Sequence, residues 1–263
     1  MSKSSLHWEV RTKEQSEPSF IVGTVHLGHE ACHVFWPLLS ERIKSYHRIY
    51  TESSLSKEAS LIIQPWTLLP AEVNLHEYIS TRRWAKIQVA IERFTKVDIN
   101  MMKKFHPLFI LTAIQVGLSG QSEFPSLDQR IWDLAVSLDK EVDGIESPLE
   151  QVEVLRSMDI GFLYLHLVRI SKKMSTTRKH LKKLIQVYTS QDIDALYKLS
   201  KSSLGPDRRL LIDQRNRIIG ERILDKHVEE PSFFSFGAGH LGGSTGVIRL
   251  LKHAGAQLKP ISL

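Results

Sequence analysis

Residues 23–28 read GTVHLG and residues 237–242 read GAGHLG, so the chain carries one short frame twice, near its two ends. Each copy has a glycine, a histidine three residues later and then Leu-Gly, and each follows a β-prone run, SFIV or SFFSF. A glycine at the mouth of a sheet permits close backbone approach and lets the following histidine point into a cleft. The repeated frame therefore predicts two strand ends that present His26 and His240 to one site.

The residues around each copy predict the same order of elements: strand, loop, helix, strand. The first unit spans residues 6–55 and the second spans residues 231–263. Their elements are strands at 6–10 and 19–26, a helix at 34–48 and a strand ending in Glu52, then a strand at 232–236, a helix closed by Gly255 and a final strand at 256–263. Open α/β sheets gather ligands at the carboxyl ends of their strands. We therefore predict an α/β fold in which two βαβ-type units form a central mixed sheet.

Between these units, residues 72–227 are expected to form a large helical insertion. Apolar residues recur at three- and four-residue spacing in five segments. These segments are residues 73–94, 101–118, 126–140, 149–173 and 207–227. Pro107 is predicted to break or kink the second segment, and EVDGIES at 141–147 is predicted to be a short strand. Since low-complexity linkers are absent, we expect one domain over residues 1–263.

Composition limits the class of protein. The chain has 263 residues, 42% of them hydrophobic, which is enough for a substantial core. Its single cysteine, Cys32, excludes an internal disulfide. The first residues have no apolar leader, and the best apolar run, 107–118, is shorter than the ~20 residues that cross a bilayer. We expect a soluble, cytoplasmic protein without a transmembrane segment.

The positive charge of the chain is concentrated in one stretch. Residues 169–183, RISKKMSTTRKHLKK, hold seven Lys or Arg and no acid, more than the whole net charge of +6. The stretch is interpreted as the solvated face of one helix; a nucleic-acid or anionic-membrane patch is the alternative. No aromatic residues lie between the charges to stack on bases. We therefore do not expect a nucleic-acid partner.

The second copy also matches G-x-G-x-x-G, the fingerprint of a dinucleotide-binding loop. That loop needs an acidic residue about 20 residues later to hold the ribose hydroxyls. No Asp or Glu occurs in residues 243–263, and the first copy lacks the middle glycine. The histidine, and not the nucleotide fingerprint, is what the copies share.

Histidine can bind a metal as the neutral base or transfer protons near neutral pH. Ordinary polar loop positions are the alternative for His26 and His240, but the repeated frame favours a shared site. Glu52 is the natural third ligand because its strand follows the first histidine unit; a surface acid is its alternative. His29 and His33 are interpreted as exposed loop residues, since HLGHE does not match the zinc-protease motif H-E-x-x-H.

Cys32 next to His33 raises the question of a nucleophilic pair. Side chains of adjacent residues in an extended segment point apart. We therefore do not expect a nucleophilic Cys-His pair here.

Several further stretches, in order along the chain, are similar to the TraB/GumN family, also called TraB/PrgY, whose relatives include the Tiki metalloproteases. The stretches are WEV before FIVGTVHLG, YTES, SLDQRIWDLAVSLDKEVDGIESPLEQVEVL, IQVYTSQDIDAL, LLIDQRNRIIGERI and FFSFGAGHLGGSTGVIRLLKHAGAQLKPI. The resemblance implies a fold related to erythromycin esterase and haem-binding ChaN-type proteins, with a divalent-metal hydrolase site. Many bacterial relatives carry an export signal, which is not seen here.

Carried over residue by residue, the resemblance implies that His26, His240 and Glu52 surround one divalent ion, manganese, cobalt or zinc. Polar positions of a second tier are implied at Asp128, Glu146, Gln151 and Arg215. The implied function is a metal-dependent peptidase, with a peptide or small ester as substrate. The alternative is a protein that binds a peptide, haem or metal without catalysis.

The roles within this set stay open. Glu146 is the general base, or Glu52 is the base and Glu146 takes its ligand place. Arg215 binds a substrate carboxylate or an oxyanion, or else forms a surface salt bridge to an acid such as Glu221. Two positions depart from the family pattern, Ile145 and Gln214, and neither is an implied ligand. The sequence makes no prediction of oligomeric state.

Overall fold

A six-stranded mixed sheet lies at the centre of the computed structural model, which describes residues 5–120, 124–204 and 209–261. The strands are β1 His7–Arg11, β2 Ser19–Thr24, β3 Arg48–Ser53, β4 Glu141–Glu146, β5 Ser232–Gly237 and β6 Gln257–Pro260. Their order across the sheet is β4-β3-β5-β2-β1-β6. The predicted α/β fold class with a mixed sheet is confirmed.

Four neighbouring strands of this sheet, β4, β3, β5 and β2, run parallel. Strand β1 pairs antiparallel with β2, as the predicted hairpin requires, and β6 pairs antiparallel with β1. All residues of β2 and nearly all of β5 are buried, which suits the aromatic and β-branched residues of central parallel strands. The carboxyl ends of four strands consequently meet at one edge of the sheet.

Helices cover the sheet and fill the middle of the chain. They are α1 Trp36–Ser45, α2 Lys57–Ile63, α3 Leu75–Tyr78, α4 Thr81–Thr95, α5 Pro107–Ser119, α6 Leu127–Ser137, α7 Pro148–Ser157, α8 Ile160–Lys172, α9 Met174–Thr189, α10 Ile193–Leu204, α11 Arg215–Glu229 and α12 Val247–His253. A π-helical turn, Arg209–Gln214, leads directly into α11. Residues 207–208 of the predicted segment 207–227 and residues 262–263 of the predicted final strand lie outside the described residues.

Helix ends divide two of the predicted segments. Pro107 breaks the segment 101–118, as predicted: it is the first residue of α5, where its missing N–H leaves no hydrogen bond unmade. The segment 149–173 is not continuous, because the Asp159 side chain accepts from the N–H of Phe162 and starts the new helix α8. At the other end of the chain, Gly255 has φ +92° and closes α12 as predicted.

The apolar side chains form two clusters. One surrounds the sheet and includes Trp8, Ile49 and Phe233, all at most 1% exposed. The other lies among helices α3, α4, α5 and α8 of the middle segment and includes Trp84. Leu181 of α9 packs against both clusters and so connects them. Within the described residues, we find no helix with the length and apolar character needed to cross a bilayer.

Candidate functional site

The carboxyl edge of the four parallel strands collects the predicted site residues. His26 follows β2, and His240 follows its parallel neighbour β5, with Thr24 and Gly237 in register. Glu52 lies near the end of β3, and Glu146 is the last residue of β4. Strand order, which brings β5 between β2 and β3, is what makes residues from distant parts of the chain neighbours.

Glu52, with 12% of its side chain exposed, is the carboxylate at the centre of this edge. Its Oε1 accepts a hydrogen bond from Arg215, and its Oε2 accepts from the backbone N–H of Gly237 at 2.7 Å. The Nε2 atom of His26 is 3.8 Å from the same Oε2. Burial favours the neutral acid, but the charges of Arg215 and His26 outweigh it and hold the pKa of Glu52 well below 4.5.

Arg215, the first residue of α11, joins two carboxylates. Its Nε donates to Glu146 Oε1 at 2.7 Å, while its Nη2 donates to both Glu146 and Glu52. Gln151 donates to the other oxygen of Glu146 at 2.6 Å. Burial disfavours the charged guanidinium, but the two carboxylates raise its pKa above the usual value of arginine. Arg215 therefore pairs inside the site and not with Glu221.

Glu146 differs from Glu52 in its electrostatics. Only 3% of its side chain is exposed, and burial raises its pKa above 4.5 despite the guanidinium beside it. Both of its oxygens accept from Arg215 or Gln151. Glu146 accordingly holds Arg215 in place, whereas Glu52 faces the histidines.

His26 is the exposed member of the site, with 61% of its side chain accessible. Its Nδ1 lies 2.9 Å from Oδ2 of Asp128, whose Oδ1 accepts from the hydroxyl of Thr24 at 2.7 Å. The charge of Asp128 raises the pKa of His26 well above 6.5. Asp128, near the start of α6, thus orients the ring so that Nε2 is directed toward Glu52.

His240 is only 4% exposed and has a different partner. Its Nδ1 is 2.6 Å from Oδ1 of Asn216, and the amide nitrogen of Asn216 donates to the carbonyl of Thr245 at 2.7 Å. This network assigns the proton of His240 to Nδ1 and leaves the lone pair on Nε2. Burial lowers the pKa of His240 to about 4, so the ring is neutral at pH 7.

The glycines of the two frames are required by close contacts. A Cβ atom on Gly237 would lie 3.2 Å from Glu52 Oε2 and 3.4 Å from Cδ2 of His240. A Cβ atom on Gly23 would lie 2.5 Å from a methyl group of Leu241, in the other frame. The first glycine therefore lets the two loops pack together, and the second lets Glu52 reach the backbone.

The other candidate residues of the first loop lie outside this contact network. His29 caps the short helical turn Glu30–His33 by accepting from Ala31 N. His33, expected to be exposed, is buried, with its ring nitrogens beside the Pro125 carbonyl and the Arg130 guanidinium. Burial raises the pKa of the Cys32 thiol to about 11, which argues against a nucleophilic thiolate at neutral pH.

The donor types fit a divalent metal. Each imidazole has its Nδ1 held by a side-chain oxygen, the arrangement that orients metal-binding histidines, and Glu52 supplies a charged carboxylate beside them. In the part of the chain that the structure describes, however, no three His, Cys, Asp or Glu side chains are arranged to hold an ion. The candidate ligands thus have suitable chemistry without a preformed coordination shell.

Three participants were missed by sequence reasoning as site residues. Asn216 holds His240, Thr24 holds Asp128, and the N–H of Gly237 holds Glu52. Asn216 follows Arg215 directly in the chain, within the stretch LLIDQRNRIIGERI that carries part of the family resemblance, so a signal was present. A backbone N–H gives no sequence signal of its own.

Comparison with known proteins agrees with the resemblance. The model of the TraB/PrgY/gumN family matches residues 6–260. Metalloprotease TIKI1 of Danio rerio is 22% identical over 321 aligned positions, which cover 98% of this chain and 64% of that protein. The chain thus spans less than two thirds of the length of this relative. No solved structure gives a significant match. The chain belongs to the TraB/PrgY/gumN family.

Proposed function

We propose that the chain is a hydrolase that cleaves peptide bonds with the help of one divalent metal ion. The observation that carries this proposal is the convergence of His26, Glu52 and His240 at one sheet edge, with the Nδ1 of each histidine held by a side-chain oxygen. The similarity to Metalloprotease TIKI1 supports the metal and the peptide substrate. A small ester is the other substrate that fits a water-based attack on a carbonyl group.

In this proposal, Nε2 of His26, Nε2 of His240 and a Glu52 oxygen hold the ion, which is manganese, cobalt or zinc. When bound, such an ion lowers the pKa of a water ligand and polarises a substrate carbonyl. The protein's part is to keep the donors oriented. Asp128 does so for His26, and Asn216 does so for His240.

Of the two glutamates, Glu52 is assigned to the ligand or base role. It is ionised and lies beside His26, while its neighbour Arg215 compensates its charge. Glu146 is assigned to positioning, since Arg215 and Gln151 engage both of its oxygens. This also changes the role of Arg215: its fork is occupied by Glu146 and Glu52, so it fixes Glu52 and does not bind a substrate carboxylate bidentately.

A second candidate function is peptide or metal binding without catalysis. One observation favours it: both oxygens of Glu52 already accept hydrogen bonds, from Arg215 and from Gly237. Hydrogen bonds to both oxygens keep this carboxylate in place and lower its basicity, which disfavours its taking a proton from water. The two candidate functions use the same metal-binding residues, and they differ in whether the bound peptide is cleaved.

The test is peptide hydrolysis by the purified chain with Mn²⁺, Co²⁺ or Zn²⁺ added after removal of bound metal. We expect turnover that falls more than about a hundredfold in His26→Ala, His240→Ala and Glu52→Gln. His29→Ala, in the same loop but outside the site network, is the matched control and should retain activity. Metal-dependent peptide binding without turnover would support the second candidate, and full activity in His240→Ala would reject the shared site.

A further inference from the structure

A basic cleft lies between α4 and α8, outside the site at the sheet edge. It has a volume of about 570 Å³, and four cationic side chains line it: Arg82, Arg83 and Lys86 of α4, and Lys172 of α8. No acidic residue lines this cleft. We call it the α4–α8 cleft. Its charge comes from two segments separated by some 90 residues, and only Lys172 belongs to the basic stretch 169–183.

The four cations of the cleft have no anionic partner in the described part of the chain. None of their side chains takes part in an ion pair or hydrogen bond there. Other arginines are paired: Arg222 with Glu150, and Arg48 with Glu141 and Glu229. Four like charges converging on one concave surface repel one another and focus a positive potential there. An anion that enters the cleft relieves this repulsion.

Part of the cleft lining is apolar. Ile87, Ala90 and Val168 line it, and Ile87 and Val168 are only 3% and 6% exposed, so the cleft combines cationic side chains with apolar surface. A cleft of this volume suits a small molecule, since ligand sites measure roughly 300–1,000 Å³. The combination fits a compact anion that also carries an apolar or planar part. An extended nucleic-acid strand would instead need a groove with stacking aromatic side chains, and no aromatic residue lines this cleft.

Phosphate is the anion that these side chains suit best. The planar guanidinium of arginine binds phosphate oxygens bidentately, and lysine adds a compact point charge. Two of each give four positive charges, which match a group with several negative charges. We propose that the α4–α8 cleft binds a small molecule that bears a diphosphate or phosphate ester, free in solution or as a lipid headgroup.

The test uses pyrophosphate as the probe, titrated calorimetrically into the metal-free full chain in EDTA, so that the sheet-edge site does not contribute. We expect saturable binding that weakens at least about tenfold in the triple variant Arg82→Ala, Arg83→Ala, Lys172→Ala. The matched control removes three exposed lysines of α9 that do not line the cleft: Lys179→Ala, Lys182→Ala, Lys183→Ala. It changes net charge equally and should keep the affinity of the unaltered chain. Circular dichroism checks that both variants fold, which their exposed positions favour.

A second arm distinguishes the sources of the phosphate. Vesicles of phosphatidylcholine with a phosphatidylinositol phosphate, compared with vesicles of phosphatidylcholine alone, report headgroup binding. Cleft-dependent binding of pyrophosphate supports a soluble ligand, and cleft-dependent binding of the phosphorylated vesicles alone supports a lipid one. Equal losses in the two triple variants, or no binding of either probe, would overturn the proposal. So would binding of single-stranded RNA that pyrophosphate does not displace.

Discussion

The two glycine-histidine loops share their letters, yet they place their histidines in opposite environments. His26 is largely exposed, and the carboxylate of Asp128 beside it raises its pKa well above 6.5. His240 is buried against the amide of Asn216, and its pKa falls to about 4. In the metal-free chain at pH 7, the first ring is therefore charged and the second is neutral.

The repeated motif determines the position of each histidine, whereas residues on other elements determine its protonation state. Asp128 belongs to α6 and Asn216 to α11. Each histidine thus has its partner on an element outside its own loop. Because a carboxylate stabilises an imidazolium and a neutral amide does not, the two loops divide one site into a charged half and a neutral half. Glu52 lies between the two halves.

The largest expected effect concerns the residue that fixes Glu52 between the loops. Arg215→Met leaves the buried Glu146 and the largely covered Glu52 without their cation, and we expect a loss of roughly 3–5 kcal/mol in the free energy of unfolding, measured with urea. The control is Arg222→Met, which breaks the more exposed pair with Glu150 and should cost under about 1 kcal/mol. Similar losses in the two variants would contradict the central position of Arg215.

His7 is a fully buried histidine outside both loops. It therefore shows what burial alone does to the pKa of a histidine, apart from the charges of the site. Its Nδ1 lies 3.1 Å from Gln191 Oε1, and burial lowers its pKa to about 4. The unfolded chain binds the proton more readily between pH 4 and 6.5, so stability falls as pH decreases through this window. The contribution of His7 amounts to roughly 3 kcal/mol at full extent.

His7→Asn retains an amide donor for Gln191 and removes the titration. We expect the variant to lose less stability than the unaltered chain between pH 7 and pH 4, measured by urea unfolding at each pH. His29→Asn, at a partly exposed loop histidine, is the control and should follow the unaltered chain. Parallel pH profiles for all three proteins would show that burial of His7 has no such effect.

Exchanging carboxylate and amide between the partners of the two histidines tests whether these partners set the pKa of each ring. Asp128→Asn should lower the pKa of His26, and Asn216→Asp should raise the pKa of His240, each by about 1–3 units. Titration of the imidazole signals by NMR in metal-free protein measures both values. An unchanged pKa of His26 in Asp128→Asn would show that Asp128 does not set its protonation.

The smallest effects separate the two glycines. Gly23→Ala forces a methyl group against Leu241 and should cost about 1–3 kcal/mol of stability. Gly237→Ala meets the looser contacts to Glu52 and His240, so we expect a smaller loss of stability and a clear loss of metal affinity. Thermal melts measure the stability of the two variants, and metal titrations measure their metal affinity. A smaller loss of stability in Gly23→Ala than in Gly237→Ala would contradict this prediction.

Local pattern predicted much of the fold. The structure confirms three predicted elements: the hairpin β1–β2, the strand that carries Glu52 and the cap at Gly255. These features depend on alternation and turn residues, which act over a few positions. The insertion of β5 between β2 and β3 and the helix break before Asp159 were not foreseen. Strand order depends on pairing between distant segments, and a short cap inside an apolar run gives a weak signal.

The sequence predicts which residues belong to the candidate site, but it does not predict which of them contact one another. The repeated frame pointed to His26 and His240, and the family resemblance added Glu146 and Arg215. That Arg215 binds both glutamates follows from the start of α11 and the ends of β3 and β4, which only the folded chain brings together. The α4–α8 cleft was missed for the same reason, as its cations lie far apart in sequence.

In the proposed function, the two loops together form one metal site. Titration of Co²⁺ into the metal-free chain, followed by its visible absorption, tests this directly. We predict one Co²⁺ per chain, lost on substitution of either His26 or His240 by alanine and retained in His29→Ala. Retention of the same spectrum and stoichiometry in either His26→Ala or His240→Ala would contradict a site shared by the two loops.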